Sequence, residues 1–397
     1  PLYAYFLAFF FQWFAGGAET LALFVQGILG GSLPVVVYFL AKKLFDARVG
    51  FISGVLTALY GPFVFYEGLL LKTSLEVWSL TCFVLILLIV VERPSRIRFF
   101  MLGGILGIAT LIKGNNMILW PLLSGIFLWM RIGKTRFDRL WLMGAFTLGM
   151  AFCILPVGIR NYVVGQDIVP TNYSVGLALY QGNWYGSDGT TALVPPFLRP
   201  DPKYEERDTI GMAEAFVGHT LKPSEISRFW TQKAFEEIVA EPGHFLATTG
   251  YKFLLLVNRG EVSDNYSYDF YRDRIGWLVM LPNAWLIVVL GIPGIVWFLF
   301  SKTQTLFPVG TNAIAHRGKH RKIFILTVLL GYIAVLLATT INSRYRLPLF
   351  PFLIIFSSAT LVCIWNALSE RDYRLFRWIV LSIILMIGVS ALPLRVF

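Results

Sequence analysis

The chain has 397 residues, of which 56% are hydrophobic, 16% aromatic and only 14% charged, and it carries a net charge of +11. A soluble domain has roughly a quarter charged residues and apolar runs far shorter than about 18, so this is an integral membrane protein. The basic residues lie in short clusters between apolar runs, as topology signals do, which argues against nucleic acid as a partner.

Residues 1–14 are apolar and aromatic but short for a crossing, and Gly16-Gly17 follows, so they read as an interfacial helix. The chain opens inside this stretch, at Pro1-Leu2-Tyr3, with neither Met nor signal peptide, and reads as one lacking its natural N-terminus. Crossings are expected at 20–41, 49–66, 70–91, 98–113, 116–130 and 138–159, then at 277–300, 323–341, 347–368 and 375–394, about ten in all. The expected organisation is a membrane region over 1–160, an extracytoplasmic mixed subdomain over 161–275, and a second membrane region over 276–397.

Orientation follows from the connections. Those carrying Lys42-Lys43, Arg93 to Arg98, Arg131 to Arg139, Arg317 to Lys322 and Arg371 to Arg377 all fall on one side when crossings are counted, which makes that side cytoplasmic. The stretch 242–258 is apolar enough to suggest a crossing. It is short, contains Lys252, and would place the cluster around Arg317 outside, so it reads as a second interfacial helix. The long connection begins turn-rich, at Gly182-Asn183-Trp184-Tyr185-Gly186-Ser187-Asp188-Gly189. A helix follows with Ser224 as N-cap and an apolar face of Ile226, Phe229, Trp230, Phe235 and Ile238. Asn172 and Asn265 match the glycosylation acceptor pattern, a frequent chance occurrence.

The outward side then receives Glu67, Lys72, Glu76, Lys113, Arg160, Glu261, Asp264 and the stretch Asn342-Ser343-Arg344-Tyr345-Arg346. Five basic groups from different spans at one depth, against the positive-inside preference, suit an anionic ligand such as a phosphate. A carboxylate within reach of an acceptor hydroxyl can take its proton, and Glu67 and Glu261 are candidates for that base. Each charge also has an ordinary reading, as a local ion pair or a head-group contact. Cys82, Cys153 and Cys363 sit far apart in apolar runs and suggest neither disulfide nor metal. The four His residues give no ligand spacing, and neither a Walker loop nor GxSxG nor HExxH occurs. The outer acids leave room for a divalent cation, but no ligand spacing demands one, and no metal ligand is assigned.

Several short stretches resemble the polytopic, lipid-linked glycosyltransferases of the GT-C class, in particular family 39 and the bacterial protein mannosyltransferase and aminoarabinose transferase branch. They are Pro1-Leu-Tyr-Ala-Tyr, Tyr66-Glu-Gly-Leu-Leu-Leu-Lys72, Gly103-Gly-Ile-Leu-Gly107, Lys113-Gly-Asn-Asn116, Arg160-Asn-Tyr162, Tyr180-Gln-Gly-Asn183, Asp264-Asn-Tyr266 and Arg344-Tyr-Arg-Leu-Pro348. The resemblance implies an all-α GT-C-like membrane protein in a bacterial cytoplasmic membrane. It would move a sugar, with inversion, from a polyprenyl-phosphate donor to an extracytoplasmic acceptor, whether protein, lipid or glycan. It further implies Lys72, Lys113, Arg160, Arg344, Tyr345 and Arg346 at the donor phosphate, with Asn183, Asp264 and Asn265 near sugar or acceptor. In the family the main carboxylate base precedes the Pro-Leu-Tyr element, upstream of Pro1; Glu67 most nearly matches the second acidic position, while Thr73 stands where many relatives carry an acid. Two other classes stay open: a lipid or solute transporter or flippase, and a non-catalytic subunit of an envelope glycan assembly complex. Transporters gather ionisable groups near the bilayer midplane on broken helices, whereas these gather at the outer ends of the spans.

Overall fold

A computed structural model of the protein describes residues 1–14, 16–199, 201–300 and 313–394. The stretch 301–312, in the connection that leads to Arg317, lies outside the described residues. The regular structure described is helical, apart from one isolated parallel bridge between Thr190 and Ile341.

The first half comprises α1 (Leu2–Trp13), α2 (Ala18–Leu44), α3 (Ala47–Leu59), α4 (Gly61–Glu67), α5 (Thr73–Val90), α6 (Arg96–Ile112), α7 (Leu119–Trp129) and α8 (Arg136–Gly165). Local chemistry sets the boundaries. The Asp46 carboxylate accepts from the N–H groups of Arg48 and Val49 to start α3, and Thr135 and Asp138 form a capping box at α8. Every expected crossing is helical, but not every one is long. Seven described helices are long and apolar enough to cross a membrane, and α3 with α4, bent by 50°, makes an eighth. The expected spans at 98–113 and 116–130 are α6, of 17 residues, and α7, of 11 residues after a 3-10 turn at Gly114–Ile118.

Helices α6 and α8 pack closely because glycines face each other across them. A Cβ at Gly103 would overlap the Phe146 carbonyl, one at Gly149 the Phe100 carbonyl, and one at Gly107 would lie 2.8 Å from Cys153 Cβ.

The connecting segment holds α9 (Val175–Gln181), α10 (Pro202–Val217), α11 (Pro223–Ala240), α12 (Pro242–Val257) and α13 (Tyr268–Arg274). It has a small apolar core of Leu177, Leu198, Ala213, Ile226 and Trp230. Two sequence expectations are corrected there. Ser224 is not the N-cap of α11: Lys222 is, and Ser224 instead gives its N–H and hydroxyl to Asp167 at 2.6 and 2.7 Å. Phe235 does not join the buried face, being 57% exposed, while Ile226, Trp230 and Ala234 are buried.

The chain finishes with α14 (Gly276–Val279), α15 (Ala284–Phe300), α16 (Ala313–Ala338), α17 (Ser343–Arg346), α18 (Phe350–Ser369) and α19 (Tyr373–Ser390). Most of α18 is buried, which makes it the central post of the main apolar core. At one end of the helices Lys43 and Arg321 share Glu92, each at 2.8 Å, so three of the basic connections meet there as the sequence implies. The opposite end gathers the connections after α4, α6 and α16 together with residues 255–264.

Candidate functional site

The site is built around α17, a single helical turn. Asn342 starts it: the side-chain oxygen accepts from the Tyr345 N–H at 2.7 Å, and the amide donates to Thr191 Oγ1 at 3.3 Å. The Ser343 N–H donates to the Val262 carbonyl at 2.9 Å, so the turn is clasped from both sides by the connecting segment. Successive helical residues point about 100° apart, so Arg344, Tyr345 and Arg346 leave the turn in three directions.

Arg346 points inward. It is 2% exposed, and one guanidinium nitrogen donates to the carbonyls of Leu255 and Asn258, both at 3.0 Å. The other donates to the Gly260 carbonyl at 3.3 Å and pairs with Glu261 at 3.0 Å. Its donors are thus spent on holding the return from α12, and Glu261 is its counter-ion.

Arg344 and Tyr345 face a different group of charges. Arg344 pairs with Asp264 at 2.7 Å and lies 5.3 Å from the Tyr345 ring centroid. Lys113, which ends α6, sits 3.7 Å from the same ring, and its ammonium is 3.9 Å from Glu76. The other Glu76 oxygen accepts from the Tyr332 hydroxyl at 2.6 Å; that hydroxyl lies 3.2 Å from the Tyr345 carbonyl, tying α5, α16 and α17 together. Lys72, which begins α5, lies within electrostatic reach of Lys113, Glu76, Tyr345 and Arg344. Among the described residues no carboxylate comes within ion-pair distance of Lys72. Three cations therefore surround one aromatic ring with two carboxylates, leaving positive charge in excess. Such a half-buried excess favours an anion.

The remaining residues singled out in the sequence are placed as follows. Arg160 is exposed near the end of α8, with Asn161 as its hydrogen-bond partner at 3.4 Å. Asn183 is buried: its amide donates to the carbonyls of Leu179 and Ala338, both at 2.7 Å, and its oxygen accepts from Lys252 at 3.2 Å. Asn265 is exposed beside Asp264. Glu67 ends α4, and one carboxylate oxygen is buried without a hydrogen-bond partner in the protein. Among the described residues there is no group of three His, Cys, Asp or Glu side chains able to hold a metal ion.

Sequence reasoning overlooked three supporting residues. Tyr332 holds Glu76. Gln26, wholly buried in α2, donates to the carbonyls of Glu67 and Leu69 at 3.0 and 2.9 Å and so fixes the loop that presents Lys72. Lys252 donates to the Leu337 carbonyl at 3.0 Å near the C-terminal end of α16, where carbonyls lack helical donors. Gly189, at φ +81°, brings the turn-rich loop against Lys252, and a Cβ there would lie 2.5 Å from Lys252 Cε. A lone polar residue in an apolar helix is the only sequence signal for Gln26 and Lys252.

Residues 1–159 match the model of a family described as dolichyl-phosphate-mannose-protein mannosyltransferase. That stretch contains Glu67, Lys72, Glu76 and Lys113, and the match bears out the resemblance to GT-C glycosyltransferases. No curated protein matches the chain. A solved structure, the archaeal oligosaccharyltransferase AglB from Archaeoglobus fulgidus in complex with an inhibitory peptide and a dolichol-phosphate, is similar at 14% identity and a TM-score of 0.46. The similarity covers 98% of this chain and 48% of AglB, so the chain spans about half the length of that protein.

Proposed function

We propose that the protein is a membrane glycosyltransferase that takes a sugar from a polyprenyl-phosphate donor and passes it, with inversion, to an acceptor outside the cytoplasm. The observation that carries this reading is the excess of positive charge around Tyr345, where Lys72, Lys113 and Arg344 face only Glu76 and Asp264. The family match over residues 1–159 and the oily surface of the helices agree with a phosphate whose tail stays in lipid. The basic connections would face the cytoplasm of a bacterium, and the Tyr345 site the opposite side.

In this reading the acceptor oxygen forms a bond to the anomeric carbon while the bond from that carbon to the donor phosphate oxygen breaks. The phosphate keeps the electron pair, and Lys72, Lys113 and Arg344 stabilise the charge that develops on it. The acceptor proton passes to a carboxylate, for which Glu67 is the candidate on this chain because its buried oxygen has no other partner. Arg346 with Glu261, and Asn183 with Lys252, support the site; Asp264 and Asn265 border the acceptor side, and Arg160 meets lipid head groups.

The test is binding of a polyprenyl phosphate to the chain in lipid nanodiscs. Arg344→Gln and Lys72→Gln should each weaken binding about tenfold, since a charge-assisted hydrogen bond contributes roughly 1.5–3 kcal/mol. Both variants should stay within about 1 kcal/mol of wild-type stability. Unchanged affinity in both would remove the phosphate from this site, and release of lipid phosphate from a labelled sugar donor would separate a transferase from a transporter.

A further inference from the structure

A cavity of about 150 Å³ lies behind the Lys72 loop, between α2, α3, α4 and α5. Most of its wall is apolar, including Leu33, Pro34, Ala58, Phe63, Val77 and Leu347. A cavity of this size and character holds a benzene-sized group. Its polar lining is Thr57, Tyr66, Glu67, Thr73 and Ser74, of which Thr57 and Ser74 donate to backbone carbonyls. Glu67 enters through a notch left by Gly30, where a Cβ would overlap its carboxylate. The oxygen at that notch has no hydrogen-bond partner in the protein. Thr73 also lines the cavity, is 1% exposed, and its hydroxyl is likewise without a partner. A buried acceptor and a buried hydroxyl left unmatched are costly unless a ligand or water completes them.

We infer that this cavity binds the hydroxyl end of a membrane-resident alcohol, with the hydroxyl donating to Glu67 and accepting from Thr73. Glu67 supplies an acceptor, and no Lys or Arg lines the cavity, so it offers a phosphate no counter-charge of the kind the neighbouring cations provide. Entry is from the lipid. The two helices that form one wall, α2 and α3, carry exposed Phe24, Ile28, Val35, Phe51, Val55 and Leu59. Thr73 follows Lys72 directly, so the cavity and the cationic site share a wall at the start of α5. The alcohol is thereby an amphiphilic acceptor for transfer, a consequence that rests on the reading given above, whereas its binding does not.

The experiment uses the chain in nanodiscs, without sugar donor, labelled by a decanol bearing a photoreactive diazirine. Labelling should map to α2 through α5 and be competed by n-decanol about fivefold better than by decyl methyl ether, the difference one hydrogen bond makes. Decyl phosphate should compete less well than decanol. Glu67→Leu and Gly30→Val should each reduce labelling about fivefold; if Gly30→Val fails to fold, Thr73→Val takes its place. Equal competition by the ether, stronger competition by the phosphate, or undiminished labelling of Glu67→Leu would overturn the assignment. Loss of this labelling pattern with polyprenyl-phosphate binding intact would reject the cavity alone, and the reverse result would reject the donor site alone.

Discussion

Arg344 and Arg346 are two residues apart, and the structure predicts opposite consequences for removing them. Arg346→Ala deletes a guanidinium that is 2% exposed and leaves Glu261, whose side chain is 9% exposed, as a buried charge without a partner. Breaking a buried pair in this way costs about 3–5 kcal/mol. The carbonyls of Leu255, Asn258 and Gly260 lose their donor as well, so the return from α12 should loosen. Arg344 and Asp264 are 13% and 15% exposed, more than Arg346 and Glu261, and Arg344 lacks the backbone carbonyls that Arg346 holds, so Arg344→Ala should cost less, about 1 kcal/mol in stability. The assay is the unfolding half-life in detergent, with limited proteolysis of 255–262 as the local readout. Arg346→Ala should shorten the half-life strongly and expose that stretch, while Arg344→Ala should leave both near wild type. Arg346→Met combined with Glu261→Gln removes both charges and should recover much of the loss. Wild-type stability of Arg346→Ala together with lost polyprenyl-phosphate affinity would refute this division, because Arg346 would then be a ligand group and not a brace.

Lys252 makes stability depend on pH. Burial lowers the pKa of its ammonium to about 7 from the ordinary lysine value of 10.5, so between these values the unfolded chain holds a proton that the folded one does not. Its contribution is therefore fully present above pH 10.5, is lost as pH falls toward 7 by up to about 1.4 kcal/mol per unit, and changes no further below that. Lys252→Met should gain relative to wild type as pH drops from 9 to 7; parallel half-life profiles would count against this account. Gly149→Val should push α8 away from α6 at the Phe100 carbonyl and cost about 1–3 kcal/mol by overpacking, read as a lower midpoint of thermal unfolding. Because Lys113 ends α6, the same variant should also weaken polyprenyl-phosphate binding, whereas Gly144→Val, where a Cβ meets nothing, should do neither.

The class of protein was legible in composition alone, because a bilayer demands long apolar helices and leaves the charged residues to the connections. The ten expected crossings are helical, though only seven or eight helices among the described residues are long enough to span, and the basic connections that carry Lys43 and Arg321 do meet, on Glu92. The local N-cap at Ser224 was less legible, since Asp167, 57 residues away, took both of that serine's donors. The outward cationic residues were also visible in the sequence, since charge at the end of an apolar span stands out.

What the sequence could not decide was how those charges divide. Arg344 and Arg346 look like one pair when written in a line, yet on a helical turn residues two apart point about 160° apart. One joins Lys72 and Lys113 around Tyr345; the other is consumed by four carbonyls and Glu261. The partners that make this division, at 76, 113, 255–264 and 332, are brought to α17 only by the packing of α5, α6, α12 and α16. Hydropathy fixes which segments enter the membrane because burial in lipid is a property of each segment by itself. Which charge is left without a counter-ion is a property of their contacts, and those exist only in the folded chain.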